Sequence, residues 1–123
     1  MIRLIYFLVI FYGCTSERQE VVAIVQSEEL LELQSQGIKV VDIRTLDEFN
    51  AGHIPDVIHI DFFAENFLEK MSALNVDQVV IHCASGGRSG KASKILQKAG
   101  FKKVYDYSGG FNEWKTKGLK IDK

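Results

Sequence analysis

The sequence is short of proline, of cysteine and of any block of like charge. It has one proline, Pro55, and two cysteines, Cys14 and Cys83, in 123 residues. Two cysteines exclude a disulfide-knit scaffold, because small domains of that kind carry several bridges. No Cys/His cluster has zinc spacing, so neither a metal nor a cofactor is expected. Fifteen basic and sixteen acidic residues are interspersed, for a formal net charge of -1. Phosphate backbones are held by clustered Lys and Arg, which excludes nucleic acid as the main partner, and Lys102-Lys103 reads as solvated surface. Repeats and low-complexity tracts are absent as well. The length suits one domain with one core, expected to be monomeric.

The chain also lacks an apolar run long enough to span a bilayer. A spanning helix needs roughly 18 apolar residues, and the run that begins at Met1 stops at Tyr12. Its layout is that of a secretory signal, with Arg3 at the start, an apolar middle and Gly13 before a cut. Cys14 follows at once, then the polar stretch Thr15 to Glu20. A small residue followed by Cys resembles the lipobox of bacterial lipoproteins, although Phe11 and Tyr12 depart from that pattern. The resemblance implies that Cys14 is the lipidated first residue of the mature protein. The expected organisation is a signal peptide at 1–13, a tether at 14–20 and a domain at 21–123. The expected location is the cell envelope, lipid-anchored or periplasmic, with the membrane met only through the lipidated N-terminus. Cys83 is then an unpaired thiol in an oxidising compartment, a liability unless it has work to do.

What is present alternates between two periodicities. Val21 to Val25, Ile38 to Ile43, Val57 to Ile60, Gln78 to His82 and Lys103 to Tyr107 are strand-like. Several of them are continuously apolar, as strands buried on both faces are. Between them lie helical patterns: a helix capped by Ser27 and ended by Gly37, and a Thr45/Glu48 capping box. A stripe of Phe63, Phe67 and Met71 predicts a further core-facing helix. A helix from Arg88 carries Ala92, Ile95, Leu96 and Ala99 on one side, and a short last helix runs over Phe111 to Lys117. This order predicts an α/β domain with a mainly parallel central sheet of about five strands and helices on both faces.

The segment that carries chemistry is His82-Cys83-Ala84-Ser85-Gly86-Gly87-Arg88-Ser89-Gly90. A cysteine at the carboxyl end of a strand, before a glycine-rich turn and a helix start, sits where open α/β sheets bind ligands. The amides of Ala84 to Ser89 can turn inward as an anion nest, backed by the positive end of the helix. Such a nest stabilises a thiolate, a persulfide or a bound oxyanion. Cys83 is therefore the candidate nucleophile. Ala84, Ser85, Gly86, Gly87, Arg88 and Ser89 form the candidate substrate cradle, with the Ser89 hydroxyl at the sulfur and Arg88 supplying charge at the rim. His53 and His82 read as packing residues, His59 has no identifiable partner, and Asp42, Arg44 and Glu48 read as a structural polar network.

Five motifs in order make the chain resemble a single-domain rhodanese over roughly Val25 to Gly118. These are Val41-Asp42-Ile43-Arg44 with Glu48-Phe49, the Gly52-His53-Ile54-Pro55 turn, and the Cys83 loop with Gly86, Arg88 and Ser89. Ala99-Gly100-Phe101 with Val104-Tyr105 and Gly109-Gly110 with Trp114 complete the set. The resemblance implies a sulfurtransferase in which Cys83 takes sulfur from a small anionic donor such as thiosulfate or a polysulfide. A thiol or cyanide would then accept it. Many members of that family carry a basic residue directly after the cysteine; here Ala84 stands there, with Arg88 and Lys91 as the nearest substitutes. Two other readings stand beside this one. Rhodanese-like domains also serve as non-catalytic docking modules, and the loop resembles the H-C-x5-R-S-G loop of tyrosine phosphatases. Four residues between Cys83 and Arg88, one fewer than a phosphate cradle uses, separate the chain from the latter.

Overall fold

Five short runs rich in β-branched residues assemble into a single sheet: Val22–Ile24 (β1), Val40–Asp42 (β2), Ile58–His59 (β3), Gln78–His82 (β4) and Lys103–Asp106 (β5). Their order is β1-β5-β4-β2-β3, and each neighbouring pair is parallel. The computed structural model describes residues 20–123, together with Ile10 and Gly13. Cys14 and all but two residues of the expected 1–13 signal segment lie outside the described residues. No helix among the described residues is long and apolar enough to cross a membrane.

The helices are Ser27–Ser35 (α1), Leu46–Ala51 (α2), Phe67–Ala73 (α3), Gly87–Lys98 (α4) and Gly110–Thr116 (α5). Successive strand residues point to opposite faces, and the core divides accordingly. Val41, Val79 and Ile81 pack with Met71 of α3 and Ala92 and Leu96 of α4. Val40 and Val80 pack on the other face with Leu30 of α1 and Phe111 and Trp114 of α5. The parallel five-stranded sheet with helices on both faces is the architecture the sequence predicts.

Strand order also places the site. From β2 the chain moves outward to β3, and from β4 it moves the opposite way to β5. The loops leaving the adjacent strands β2 and β4 therefore open a crevice at their carboxyl ends, the usual place for a ligand in such sheets.

Three local expectations are corrected. Gln26, not Ser27, is the N-cap of α1, and its backbone amide donates to the Glu29 carboxylate at 3.2 Å. Phe63 lies outside α3 and is 68% exposed, so only Phe67 and Met71 of that stripe reach the core. The Asp61 carboxylate accepts the Phe63 amide at 2.9 Å, which makes a turn there and delays the helix to Phe67. On α4 the buried face is Ser89, Ala92, Ser93 and Leu96, whereas Ile95 is 39% exposed and Ala99 faces solvent. The Thr45/Glu48 capping box of α2 is present as expected.

One buried ion pair fixes the turn after β2. Arg44 Nη2 donates to Asp42 Oδ2 at 2.7 Å and Nε to Oδ1 at 3.0 Å, and Nη2 also reaches the Gly52 carbonyl at 2.7 Å. Both side chains are almost fully buried. Removing one partner of such a pair strands the other charge, at a cost of about 3–5 kcal/mol. Asp42→Ala is expected to lose stability of that order in urea unfolding, and a loss below 1 kcal/mol would show that Arg44 finds water instead.

Candidate active site

Cys83 follows the last residue of β4, and its side chain is buried at 1% exposure. The chain then turns through Ala84 and Ser85 to Gly86, whose backbone takes φ +97° as the N-cap of α4. Gly86 is required twice over. Its φ lies in the left-handed region, and a Cβ there would meet the Ser108 carbonyl oxygen at 2.7 Å.

The turn brings donors onto the sulfur. The Gly86 amide donates to Cys83 Sγ at 3.2 Å, and the Ser89 amide at 3.5 Å. Ser89 is the third residue of α4, so its amide is one of those that the helix leaves free. The Ser89 hydroxyl lies 3.7 Å from the sulfur, accepting from the thiol, and it can turn to donate once the thiol ionises. Burial is the largest influence on the Cys83 thiol and pushes it up. The hydrogen bonds from Ser89, Gly86 and Ser85 together outweigh burial, leaving the thiol below its ordinary value.

Arg88 does not stand free at the rim. Its Nη1 donates to Glu48 Oε1 at 2.6 Å and its Nη2 to Glu48 Oε2 at 3.0 Å. This bidentate pair joins the loop after β4 to α2, across the crevice between β4 and β2. The Arg88 bonds, with burial opposing and Thr45 adding, hold the Glu48 carboxyl down at about 2. Arg88 in turn is raised by Glu48 and, less strongly, by the Cys83 sulfur. Phe63 lies beside it, with the guanidinium 6.0 Å from the ring centroid. The expected Asp42, Arg44 and Glu48 network is thus two pairs, Asp42 with Arg44 and Glu48 with Arg88. The capping box signalled Glu48 as a local residue, and nothing in the sequence pointed it at Arg88.

The loop is anchored at its start as well. The Phe111 amide donates to the Cys83 carbonyl at 2.9 Å and the Asn112 amide to the Ala84 carbonyl at 3.0 Å. Gly110, at φ +67°, permits this approach, because a Cβ there would stand 2.5 Å from the Ala84 oxygen and 2.6 Å from the Cys83 oxygen. Ser85 and Gly87 are exposed, while Ala84, Gly86 and Arg88 are half-buried. Lys91 is exposed on α4.

The histidines lie in packed positions. His53 stacks on Phe49 at 4.0 Å, and His59, which has no visible partner in the sequence, bonds the Arg44 carbonyl at 2.7 Å. His82 Nδ1 faces the Cys83 carbonyl at 3.2 Å rather than the sulfur, and burial lowers its pKa and keeps the ring neutral. Sequence reasoning passed over Asp106, at the end of β5, whose Oδ1 is buried without a hydrogen-bond partner. Burial pushes its carboxyl up, and the Ser89 side chain draws it partly back. Among the described residues no group of three or more His, Cys, Asp or Glu is placed to hold a metal ion.

A parallel sheet of this order, with a cysteine at the end of its middle strand inside a ring of amides, has a family. The rhodanese-like domain model matches residues 26–117, and the chain belongs to that family. Thiosulfate sulfurtransferase 18 of Arabidopsis thaliana is 34% identical over 113 residues, covering 81% of this chain and 82% of that protein. The thiosulfate sulfurtransferase GlpE of Pseudomonas fluorescens is 38% identical over 85 residues, covering 68% of this chain and 76% of that one. Among solved structures, a rhodanese-related protein from Thermoplasma volcanium superposes with a TM-score of 0.68 at 27% identity, covering 80% of this chain and 95% of its own. The human single-domain sulfurtransferase TSTD1 superposes with a TM-score of 0.62 at 25% identity, covering 76% and 96%.

The cradle makes its own prediction. Alkylation of Cys83 by iodoacetamide, followed against pH, should show a midpoint below the value near 8.5 of a free cysteine. Ser89→Ala should move that midpoint upward, because one side-chain donor to the thiolate is lost. An unchanged midpoint in the variant would mean that the hydroxyl does not serve the sulfur.

Proposed function

We propose that the chain is a sulfurtransferase that carries sulfane sulfur as a persulfide on Cys83. The observation that supports this best is the convergence of the Gly86 and Ser89 amides and the Ser89 hydroxyl on one buried sulfur at the end of β4. Two relatives are themselves thiosulfate sulfurtransferases. Family membership alone supports a sulfur donor and an acceptor in general; the assignment to Cys83 rests on the cradle.

In the first half-reaction the Cys83 thiolate attacks the outer sulfur of a donor such as thiosulfate. A new S–S bond forms at Cys83, the donor's S–S bond breaks, and sulfite leaves with the electron pair. The outer sulfur of the resulting Cys83–S–S⁻ carries the negative charge, which the loop amides are placed to stabilise. In the second, cyanide or a thiolate attacks that outer sulfur. The Cys83 S–S bond breaks and the electron pair returns to Cys83 as thiolate. Ala84, Ser85, Gly86, Gly87, Arg88 and Ser89 form the wall through which donor and acceptor pass. Arg88, paired with Glu48, shapes the ring rather than binding as a free cation.

Intact mass after thiosulfate or polysulfide treatment tests the reading. Wild type should gain the mass of one sulfur, reversed by cyanide or reductant, and Cys83→Ser should gain none. Gain with polysulfide alone would assign the donor preference to Ala84. No gain from either donor would overturn the sulfurtransferase reading in favour of a docking module.

We further propose, from the Met1 to Cys14 pattern, that the mature protein is lipid-anchored in the cell envelope through Cys14. Metabolic labelling with a fatty acid should mark wild type and not Cys14→Ser. Equal labelling of both would overturn the anchor.

A further inference from the structure

A cavity of about 370 Å³ lies beside the Cys83 loop, lined in part by Glu48 of α2, Ala84 of the loop, Phe111, Asn112 and Lys115 of α5, and Lys123. Its charges do not cancel. Arg44 also lines it but is neutralised by Asp42 at 2.7 Å, and Glu48 is neutralised by Arg88 at 2.6 Å. Lys115 has no ion-pair partner among the described residues. The Lys115 ammonium lies 5.4 Å from the centroid of the Phe111 ring, whose other cationic neighbour, Arg44, is at 4.0 Å.

The position of this positive wall relative to the sulfur is fixed by backbone. Phe111 and Asn112 donate to the carbonyls of Cys83 and Ala84, so α5 and the loop are tied at the two residues where the loop leaves β4. Ala84 contributes only a methyl group to the boundary between the loop and the cavity. Ala84 belongs to both the loop and the cavity wall, so a ligand with its sulfur in the loop and its other end in the cavity would pass Ala84 and Phe111 on the way to Lys115. Such a ligand has a sulfur at one end and a negative charge a few bonds away.

We propose that this cavity receives the carboxylate of a small acidic thiol, with Lys115 as the specificity-determining cation. The inference rests on the sulfurtransferase reading and names the class of acceptor. In the forward direction the thiolate R–S⁻ attacks the outer sulfur of Cys83–S–S⁻, R–S–S⁻ forms, and Cys83 recovers the electron pair as thiolate. The reverse of the same step uses R–S–S⁻ as donor. Charge that Ala84 does not supply beside the sulfur is supplied from α5, one helix away.

The test uses the full chain, loaded with sulfur at Cys83 and checked by intact mass. Transfer to glutathione, which is anionic, is compared with transfer to 2-mercaptoethanol, which is uncharged, in wild type, Lys115→Gln, Lys115→Glu and Lys115→Arg. Loss of one exposed ion pair should raise KM for glutathione by up to about fivefold in Lys115→Gln. The rise should be larger in Lys115→Glu, and kcat should not change in either. Lys115→Arg should retain the wild-type KM, and 2-mercaptoethanol should not distinguish the four proteins. In wild type, added salt should raise KM for glutathione alone. If Cys83 loads with sulfur but the variants treat the two thiols alike, the cavity assignment is overturned and the sulfurtransferase reading stands. If Cys83 never loads, both fall.

Discussion

The ion pair between Asp42 and Arg44 is the contact on which the rest of the site is built. It is buried at the end of β2, where two uncompensated charges would be costly, so the turn that holds them has little freedom. From it the structure runs in three directions. Arg44 holds the Gly52 carbonyl and so the end of α2, the helix that presents Glu48 to Arg88. Arg44 also lies against the Phe111 ring on α5, and Phe111 bonds the Cys83 carbonyl. Asp42 lies 3.8 Å from His82, the residue before Cys83. The charge pair and the sulfur share no bond, yet each support of the loop leads back to that pair.

At the sulfur two opposing effects meet. Burial disfavours a thiolate, and an unassisted cysteine in this position would be inert. The amides at the start of α4, with the serine hydroxyl beneath them, reverse that preference. Seclusion from water and stabilisation of negative charge are thus achieved by the same few residues. The neighbouring His82 adds no positive charge, because its own burial keeps it neutral.

Much of this was legible in the sequence, and the gaps have physical reasons. The five strands could be found because turn or helix signals flank them, and Thr45 with Glu48 announced a helix start that the structure contains. Phe63 was misplaced because spacing alone cannot show that Asp61 would capture its amide and interrupt the helix. Ser93 was passed over as a member of the buried face of α4, because a polar residue adds nothing to an apolar stripe. In the structure Ser93 Oγ satisfies itself on the Ser89 carbonyl at 2.8 Å, and Ser89 turns to the sulfur. The bond between Glu48 and Arg88 joins residues forty positions apart. Local patterns report on local partners, so this pair appears only when β2 and β4 are set side by side.

The loop is held at its first residues by α5 and near its last by α2, and only Ser85, Gly86 and Gly87 lie between those anchors. In evolutionary terms this makes its length a barrier rather than a variable. Point substitutions such as alanine after the cysteine leave both anchors in place, because the bonds to α5 are made by backbone carbonyls and the bond to α2 by Arg88. An inserted residue would have to displace Arg88 from Glu48 or Cys83 from the amide of Phe111. A lineage built on these anchors can therefore drift in specificity by single steps, while widening the ring for a larger group requires the anchors and the loop to change together.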